Sequence, residues 1–508
     1  MRRHAASWVV ALAAGVSGGL LGSAATAQDA LPAAVTAALA EVGLGADALA
    51  AVALPLGAHA RWQRPWQHRA HVPMQPGSTM KLVTSIVTLD RLGPGHRGST
   101  ELRSAAPLRD GVLQGDLVLV GGADPDLGVA QLWALLLDLR QAGVTTIAGD
   151  VIVDRSLFRP ARSDLGPPPF DDTPELAYNV IPDALHLAGS LLPLELKSSV
   201  TGVTASTVPP LPGIELTSRM VLTDTPCNDW HDDWRPALVQ QSEGRTLIEL
   251  QGGFPRGCTQ RTELQLIDRL ELTERLLRTL WQGLGGRWDG SAREAPLPST
   301  SSLQGVPTRL LARRLARPWG EVLRGMNKLS DNAATRLLYL NLGVRGMATD
   351  TQTTTAELAA REVRGWLVEH AIEDRGLVLD NGSGLSRSER ITPWQLASML
   401  KVAHAGRHAA DLAMSLPVAG TDGTLRNRLK NSPAAGWARL KTGSLRNVVA
   451  LAGYVNDAEG RPWAVAMMVN HAEAARARPV LDALVDQLAR SGPHGAAPVG
   501  VGPLGDGP

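Results

Sequence analysis

Aromatic rings are scarce in this chain apart from one kind, with 3 Tyr and 3 Phe against 13 Trp in 508 residues. Small aliphatic side chains, Ala and Leu above all, must fill most of any core. Cysteine is scarcer still: only Cys227 and Cys258 occur, 31 positions apart. That excludes a CxxC redox site or a cysteine-rich zinc module, both of which need clustered thiols. Charge of one sign is also lacking, since 50 Lys and Arg nearly cancel 49 Asp and Glu. A formal charge of +1 gives no electrostatic footprint for nucleic acid. Beyond residue 27 no stretch reaches about 18 uninterrupted apolar residues, so no stable membrane span is expected. The phosphate-cradling pattern G-x-x-x-x-G-K-[ST] is absent. His404 and His408 have the spacing of a metal pair, but Ala405-Gly406-Arg407 between them supplies no glutamate base. With no third ligand evident, no metal is expected there.

What is present begins with an export-type leader. Arg2, Arg3 and His4 form a basic start, residues 8–21 are apolar, and Ala25-Thr26-Ala27 places small residues before Gln28. Residues 1–27 are read as a signal peptide. A retained anchor is the alternative, disfavoured by a run so short and rich in Gly and Ala. In an oxidising compartment Cys227 and Cys258, each beside Gly or Pro, pair most simply as one disulfide; two buried thiols are the other reading. The length suggests two to four domains. Residues 28–95 contain a strand-like stretch at 49–56. Residues 96–262 contain short β-type runs, such as Leu117-Val118-Leu119-Val120 and Val151-Ile152-Val153, broken by Gly, Asp and Pro turns. The stiff loop Gly166-Pro167-Pro168-Pro169 suits neither a helix nor a central strand. Helical periodicity returns over residues 263–490, as at 271–280 and 307–315, and the Gly/Pro/Ala-rich residues 491–508 are predicted to be a disordered tail.

Three motifs carry the chemistry, in a fixed order: Ser78-Thr79-Met80-Lys81, Ser330-Asp331-Asn332 and Lys441-Thr442-Gly443. Pro76-Gly77 precedes Ser78, and apolar residues follow at helical spacing until Gly93-Pro94, so Ser78 is predicted at a helix N-terminus. There the helix dipole favours developing negative charge, and Lys81 lies one turn below as a candidate base. Alone, this pattern is more often a serine cap beside a solvated lysine. Ser330-Asp331-Asn332 reads as a turn between helices. Its serine is suited to pass a proton to a leaving amine, and Asn332 to bind a substrate amide. Lys441-Thr442-Gly443-Ser444 opens a predicted β-meander with strands at 448–455 and 463–469. On an edge strand Lys441 and Thr442 would hold a terminal carboxylate, while Gly443 leaves room for backbone approach. Each motif has a bland reading, a capping turn or an exposed strand; the ordered triple favours an acyl-serine enzyme.

These residues resemble the low-molecular-mass class C penicillin-binding proteins, the type 4 group of D-alanyl-D-alanine carboxypeptidases and endopeptidases. The wide spacing fits: 252 residues separate Ser78 from Ser330, and 111 separate Ser330 from Lys441. The resemblance implies a mixed α/β (α+β) serine transpeptidase/β-lactamase-like domain carrying two β-rich domains inserted between the first and second motifs. Gly115-Asp116-Leu117, Gly149-Asp150-Val151, the loop from Asp380 to Arg387 and Thr421-Asp422-Gly423-Thr424-Leu425 resemble family segments. By the resemblance Arg387 and Asp164 help bind the peptide stem, and the amides of Ser78 and Ser444 form the oxyanion hole. Gly77 stands where the family usually has alanine, and the stretch around Asp183 departs from its pattern. The implied substrates are peptidoglycan peptides and β-lactams, the implied compartment is the periplasm, and no cofactor is needed. A serine β-lactamase and a silent peptidoglycan-binding scaffold are the rival readings. Against the first, the Glu-x-x-Leu-Asn signature of the commonest class occurs nowhere.

Overall fold

The computed structural model describes residues 29–242, 244–296 and 308–493. The leader (1–27) and residues 494–508 of the expected tail lie outside the described residues.

Both ends of the chain build one antiparallel sheet, in the order Arg439–Leu445, Val448–Asn456, Pro462–Asn470, Leu49–Pro55, Trp66–His68. Strand side chains alternate between faces, so residue parity divides the core. Ala50, Val52, Ala450, Ala452, Ala464, Ala466 and Met468 enter one apolar cluster; Leu49, Ala51, Val449, Leu451, Val465 and Met467 enter another. Helices Ala33–Glu41 and Arg478–Ser491 cover the second face with residues such as Val35, Leu39, Leu481 and Val485. Because both faces are covered, Leu49–Pro55 is buried along its whole length. On the first face the alanines let helix Pro393–Ala405 lie close, and helix Lys81–Leu92, packed on that helix and its neighbours, is buried on every side from Lys81 to Leu89. The expected β-meander is present, with the Lys-Thr-Gly strand at the sheet edge.

The chain leaves the sheet after helix Lys81–Leu92 and returns on a strand near residue 309. Gly93, at φ +77°, ends the buried helix, and strand Ser99–Ser104 leads outward. The chain returns on Arg309–Leu315, which pairs antiparallel with that strand, Thr100 opposite Arg314. Helix Arg269–Gly283 and strands Arg287–Trp288 and Ala292–Glu294 also belong to the inserted core, through Leu272, Leu276, Trp281 and Trp288. These elements lie beyond the boundary expected at residue 262, and Arg309–Leu315, within the helix expected at 307–315, is a strand. Its Leu/Arg pairs suit a helix locally. Pairing with Ser99–Ser104 decides otherwise, turning only Ala312 fully inward. One group of sheets comprises Ser99–Ser104, Leu117–Gly122, Val151–Asp154 and the returning strands; a second lies between Leu192 and Leu264. The two share one apolar core. Cys227 and Cys258 form a disulfide in the second group, with Cα atoms 5.6 Å apart.

Between the groups, residues 155–191 run back onto the catalytic domain. Buried Asp183 accepts hydrogen bonds from Arg155 (2.7 Å) and Arg269 (2.5 Å), which anchors this segment to the inserted core. Its far side lies on helix Asn332–Val344, where Arg336 donates to the carbonyls of Asn179 (3.3 Å) and Val180 (2.8 Å).

Candidate active site

Ser78 sits on a single 3-10 turn, Gly77–Met80, that feeds directly into the buried helix. The three-residue spacing brings Lys81 Nζ to 3.0 Å from Ser78 Oγ. Lys81 is 0% exposed, and its amine also donates to Asn332 Oδ1 (2.6 Å) and to the Ser383 carbonyl (2.5 Å). Burial and the neighbouring Lys441 push the Lys81 ammonium well below the ordinary lysine range, against opposing pulls from Glu389 and Asp331. A neutral amine within hydrogen-bond reach of a serine hydroxyl is a competent general base.

The second motif is aimed by two helix ends. Helix Trp319–Leu329 finishes at Ser330 in a left-handed conformation (φ +63°), and Asp331 caps the next helix by accepting from Ala334 N at 3.0 Å. Ser330 is thereby turned toward Lys441, whose Nζ donates to its Oγ at 2.9 Å. Asn332 bridges the cleft, accepting from Lys81 and donating through Nδ2 to the Tyr178 carbonyl at 2.9 Å. Lys441 is 0% exposed, and burial pushes it down to about 7. Two serine–lysine pairs thus face one another.

The third motif meets the first through glycine. A Cβ on Gly443 would fall 2.5 Å from the Pro76 carbonyl and 3.2 Å from Ser78 N; one on Gly77 would fall 3.2 Å from Ser444 N. Only bare backbone allows this approach. Gly77 has φ +51°, a left-handed backbone that glycine takes without steric cost. Thr442 Oγ1 donates to Thr424 Oγ1 at 2.8 Å, bringing the loop at 421–425 to the strand.

Two serine–lysine pairs and a Lys-Thr-Gly edge strand thus meet in one cleft. The family model described as D-Ala-D-Ala carboxypeptidase 3 (S13) matches residues 31–491. The chain belongs to the S13 family. Its relatives include the D-alanyl-D-alanine carboxypeptidase of Actinomadura sp. (strain R39), 29% identical over 449 residues, 83% of this chain and 78% of that protein. Another is the D-alanyl-D-alanine carboxypeptidase DacB of Haemophilus influenzae, 27% identical over 410 residues, 78% and 80% of the two chains. A crystal structure of penicillin binding protein 4 from Haemophilus influenzae shares the fold, with TM-score 0.70 at 23% identity over 87% of this chain and 96% of that one. A further structure of that protein, complexed with a β-lactam, has TM-score 0.67 at 22% identity over 86% and 92%. Membership makes this chain a serine-type peptidase.

Of the residues the sequence singles out, this S13 structure brings Ser78, Lys81, Ser330, Asn332, Lys441, Thr442, Gly443 and Ser444 together. Arg387 is exposed beside the cleft, its guanidinium stacked 4.3 Å over the Phe170 ring. Asp164 is placed differently: its carboxylate is bound by Arg162 (2.9 Å) and lies 3.3 Å from Arg269, as part of the anchoring cluster. The neighbouring wall of the site is instead the Phe170–Asn179 stretch, where Asp171 accepts from Tyr178 Oη at 2.7 Å and from Asn179 at 2.8 Å. Beyond Ser330-Asp331-Asn332 lies a cleft of about 490 Å³, walled by Tyr178, buried His186 and Glu263 from the insertion. Sequence reasoning missed Ser383, which acts through its carbonyl, and Glu389. The loop Asp380–Arg387 had pointed to this neighbourhood, but a main-chain acceptor leaves no side-chain signature.

Proposed function

We propose that this protein is an exported D-alanyl-D-alanine carboxypeptidase and endopeptidase acting on peptidoglycan stem peptides and cross-links through an acyl-Ser78 intermediate. The observation that carries the reading is the buried amine of Lys81 at 3.0 Å from Ser78 Oγ. In the first step Lys81 takes the hydroxyl proton as Oγ bonds to the carbonyl carbon of the penultimate D-alanine. The amides of Ser78 and Ser444 hold the oxyanion. The C–N bond then breaks, and the proton passes through Ser330 to the departing amine. Lys441 and Thr442 hold the leaving group's carboxylate, and Asn332 holds the acyl side of the peptide. Water, deprotonated by the same lysine, attacks the ester and frees Ser78. A cross-linked peptide differs only in the size of its leaving group. Arg387 and the Phe170–Asn179 wall, rather than Asp164, contact the stem. β-Lactams acylate the same serine, and their cyclic leaving group stays tethered in the site.

Removal of residues 1–27 on export delivers the mature chain to the periplasm. Among the described residues no helix is long and apolar enough to cross a membrane. The test is intact-mass measurement after mixing with benzylpenicillin, beside Ser78→Ala. A persistent adduct on the wild type alone supports the reading. Rapid turnover without an adduct replaces it with a β-lactamase; folded wild type giving neither replaces it with a binding scaffold.

A further inference from the structure

Glu389 is a 0% exposed carboxylate that the three motifs do not use. It closes a loop from the inside. Val378 and Arg390 exchange backbone hydrogen bonds (2.9 and 3.0 Å), which pinches residues 379–389 into a closed loop. Within it, Glu389 Oε1 accepts from the successive amides of Asp380 (3.4 Å), Asn381 (3.1 Å) and Gly382 (2.8 Å). The same loop supplies the Ser383 carbonyl that receives Lys81 Nζ, and the Gly382 carbonyl accepts from Thr84 Oγ1 at 2.7 Å on the nucleophile's helix. Gly384 is pressed so closely on the nucleophile turn that a Cβ there would fall 1.9 Å from the Gly77 carbonyl. Any loosening of the loop is therefore felt at Ser78 and Lys81.

The charged and titratable groups around Glu389 are Lys81 from the nucleophile helix, Arg336 and Tyr339 from helix Asn332–Val344, and Asp380 on its own loop. Glu389 Oε2, Arg336 Nε and Tyr339 Oη have no hydrogen-bond partner among the described residues. The carboxylate's three amide bonds on one oxygen, and the Arg336 guanidinium nearby, favour its ionised form; burial opposes it.

We propose that Glu389 is a positioning residue for the catalytic base: its ionised carboxylate clamps the 379–389 loop from within, keeping the Ser383 carbonyl on Lys81 Nζ and negative charge behind that amine. The inference rests on Lys81 acting as the base. Both effects have one sign. Ionised Glu389 holds the acceptor in place and strengthens Lys81 as a proton acceptor, whereas a protonated carboxyl weakens both. Burial pushes Glu389 up to about 7, so the acid limb of acylation belongs to this group.

The test is the benzylpenicillin acylation rate constant from about pH 5 to 7, counted per molecule that finally carries the adduct, for the wild type, Glu389→Gln and Glu389→Asp. The wild-type rate rises with pH. Glu389→Gln, uncharged at every pH, is expected to be level and about ten-fold slower near pH 7. Glu389→Asp keeps a charge with shorter reach and so keeps a rising limb at a lower height. An acid limb retained in Glu389→Gln, at any height, overturns the proposal, as does a level profile in Glu389→Asp. Absence of any adduct on the wild type would instead remove the underlying assignment of Ser78 and Lys81.

Discussion

Lys81 and Lys441 are both 0% exposed, yet the proposed reaction asks opposite things of them. Lys81 must be neutral to accept a proton, and its displacement well below the ordinary range favours that form. Lys441 must be charged to hold a carboxylate, and with burial pushing it down to about 7 that charge is lost as pH rises through this value. The free enzyme's kcat/KM for a peptide ending in D-Ala-D-Ala should accordingly decline above about pH 7. The same peptide with a C-terminal amide should lack that alkaline decline, and an equal decline in both would contradict the role given to Lys441. Lys81→Met should lower the acylation rate by about a thousand-fold without loss of folded protein, measured by stopped-flow acylation beside circular dichroism. The eight motif residues in the cleft were legible because two of the motifs are local devices, a serine and lysine one helical turn apart and a glycine on a strand. Tyr178, Arg336 and Glu389 were not. The partners of Tyr178 and Arg336 lie far along the chain (154 residues separate Tyr178 from Asn332), and Glu389 bonds main-chain amides seven to nine residues back, which leave no side-chain pattern.

The elements show where pattern reading succeeds and where packing overrides it. Parity along Leu49–Pro55 and Val448–Asn456 assigns residues to two cores, so an alanine on the first face has a definite purpose. Ala466 is fully buried between Val52 and Ala452 on that face. Ala466→Leu should cost about 1–3 kcal/mol by overpacking, seen as a lower denaturation midpoint, and should slow acylation by displacing helix Pro393–Ala405, on which the helix that carries Lys81 packs. An unchanged midpoint would show slack beneath that helix. By contrast, helix Arg269–Gly283 looks like the helical residues that follow it, and nothing in its periodicity reveals that Leu276 and Trp281 pack with inserted strands. That is why a boundary at residue 262 is all that the periodicity suggests. The Leu/Arg pattern of Arg309–Leu315 misled for the same reason: strand identity came from its partner.

At the scale of the whole molecule, the insertion stands between the first two motifs in sequence but bounds the catalytic cleft in space. Its anchor is the buried cluster centred on Asp183, with Arg155 and Arg269. Asp183→Ala would leave two buried guanidiniums without their shared partner and should cost about 3–5 kcal/mol in denaturant unfolding. Because the 155–191 segment carries Tyr178, it should also slow acylation. The disulfide lies further out, closing a 31-residue separation in the second group of sheets. Cys227→Ser with Cys258→Ser should lose about 3 kcal/mol of stability in that group while leaving the acylation rate within about two-fold. Equal damage to catalysis would mean that the outer sheets reach the cleft.

The most direct measurement follows the reaction itself. A stem peptide ending in D-Ala-D-Ala is incubated with the mature protein, released D-alanine is quantified, and the benzylpenicillin adduct is mapped by peptide mass. Steady release of one D-alanine per peptide is expected, with loss of that release in Ser78→Ala and an adduct located on Ser78. D-alanine release that survives Ser78→Ala, or an adduct on any other residue, would contradict the acyl-Ser78 mechanism.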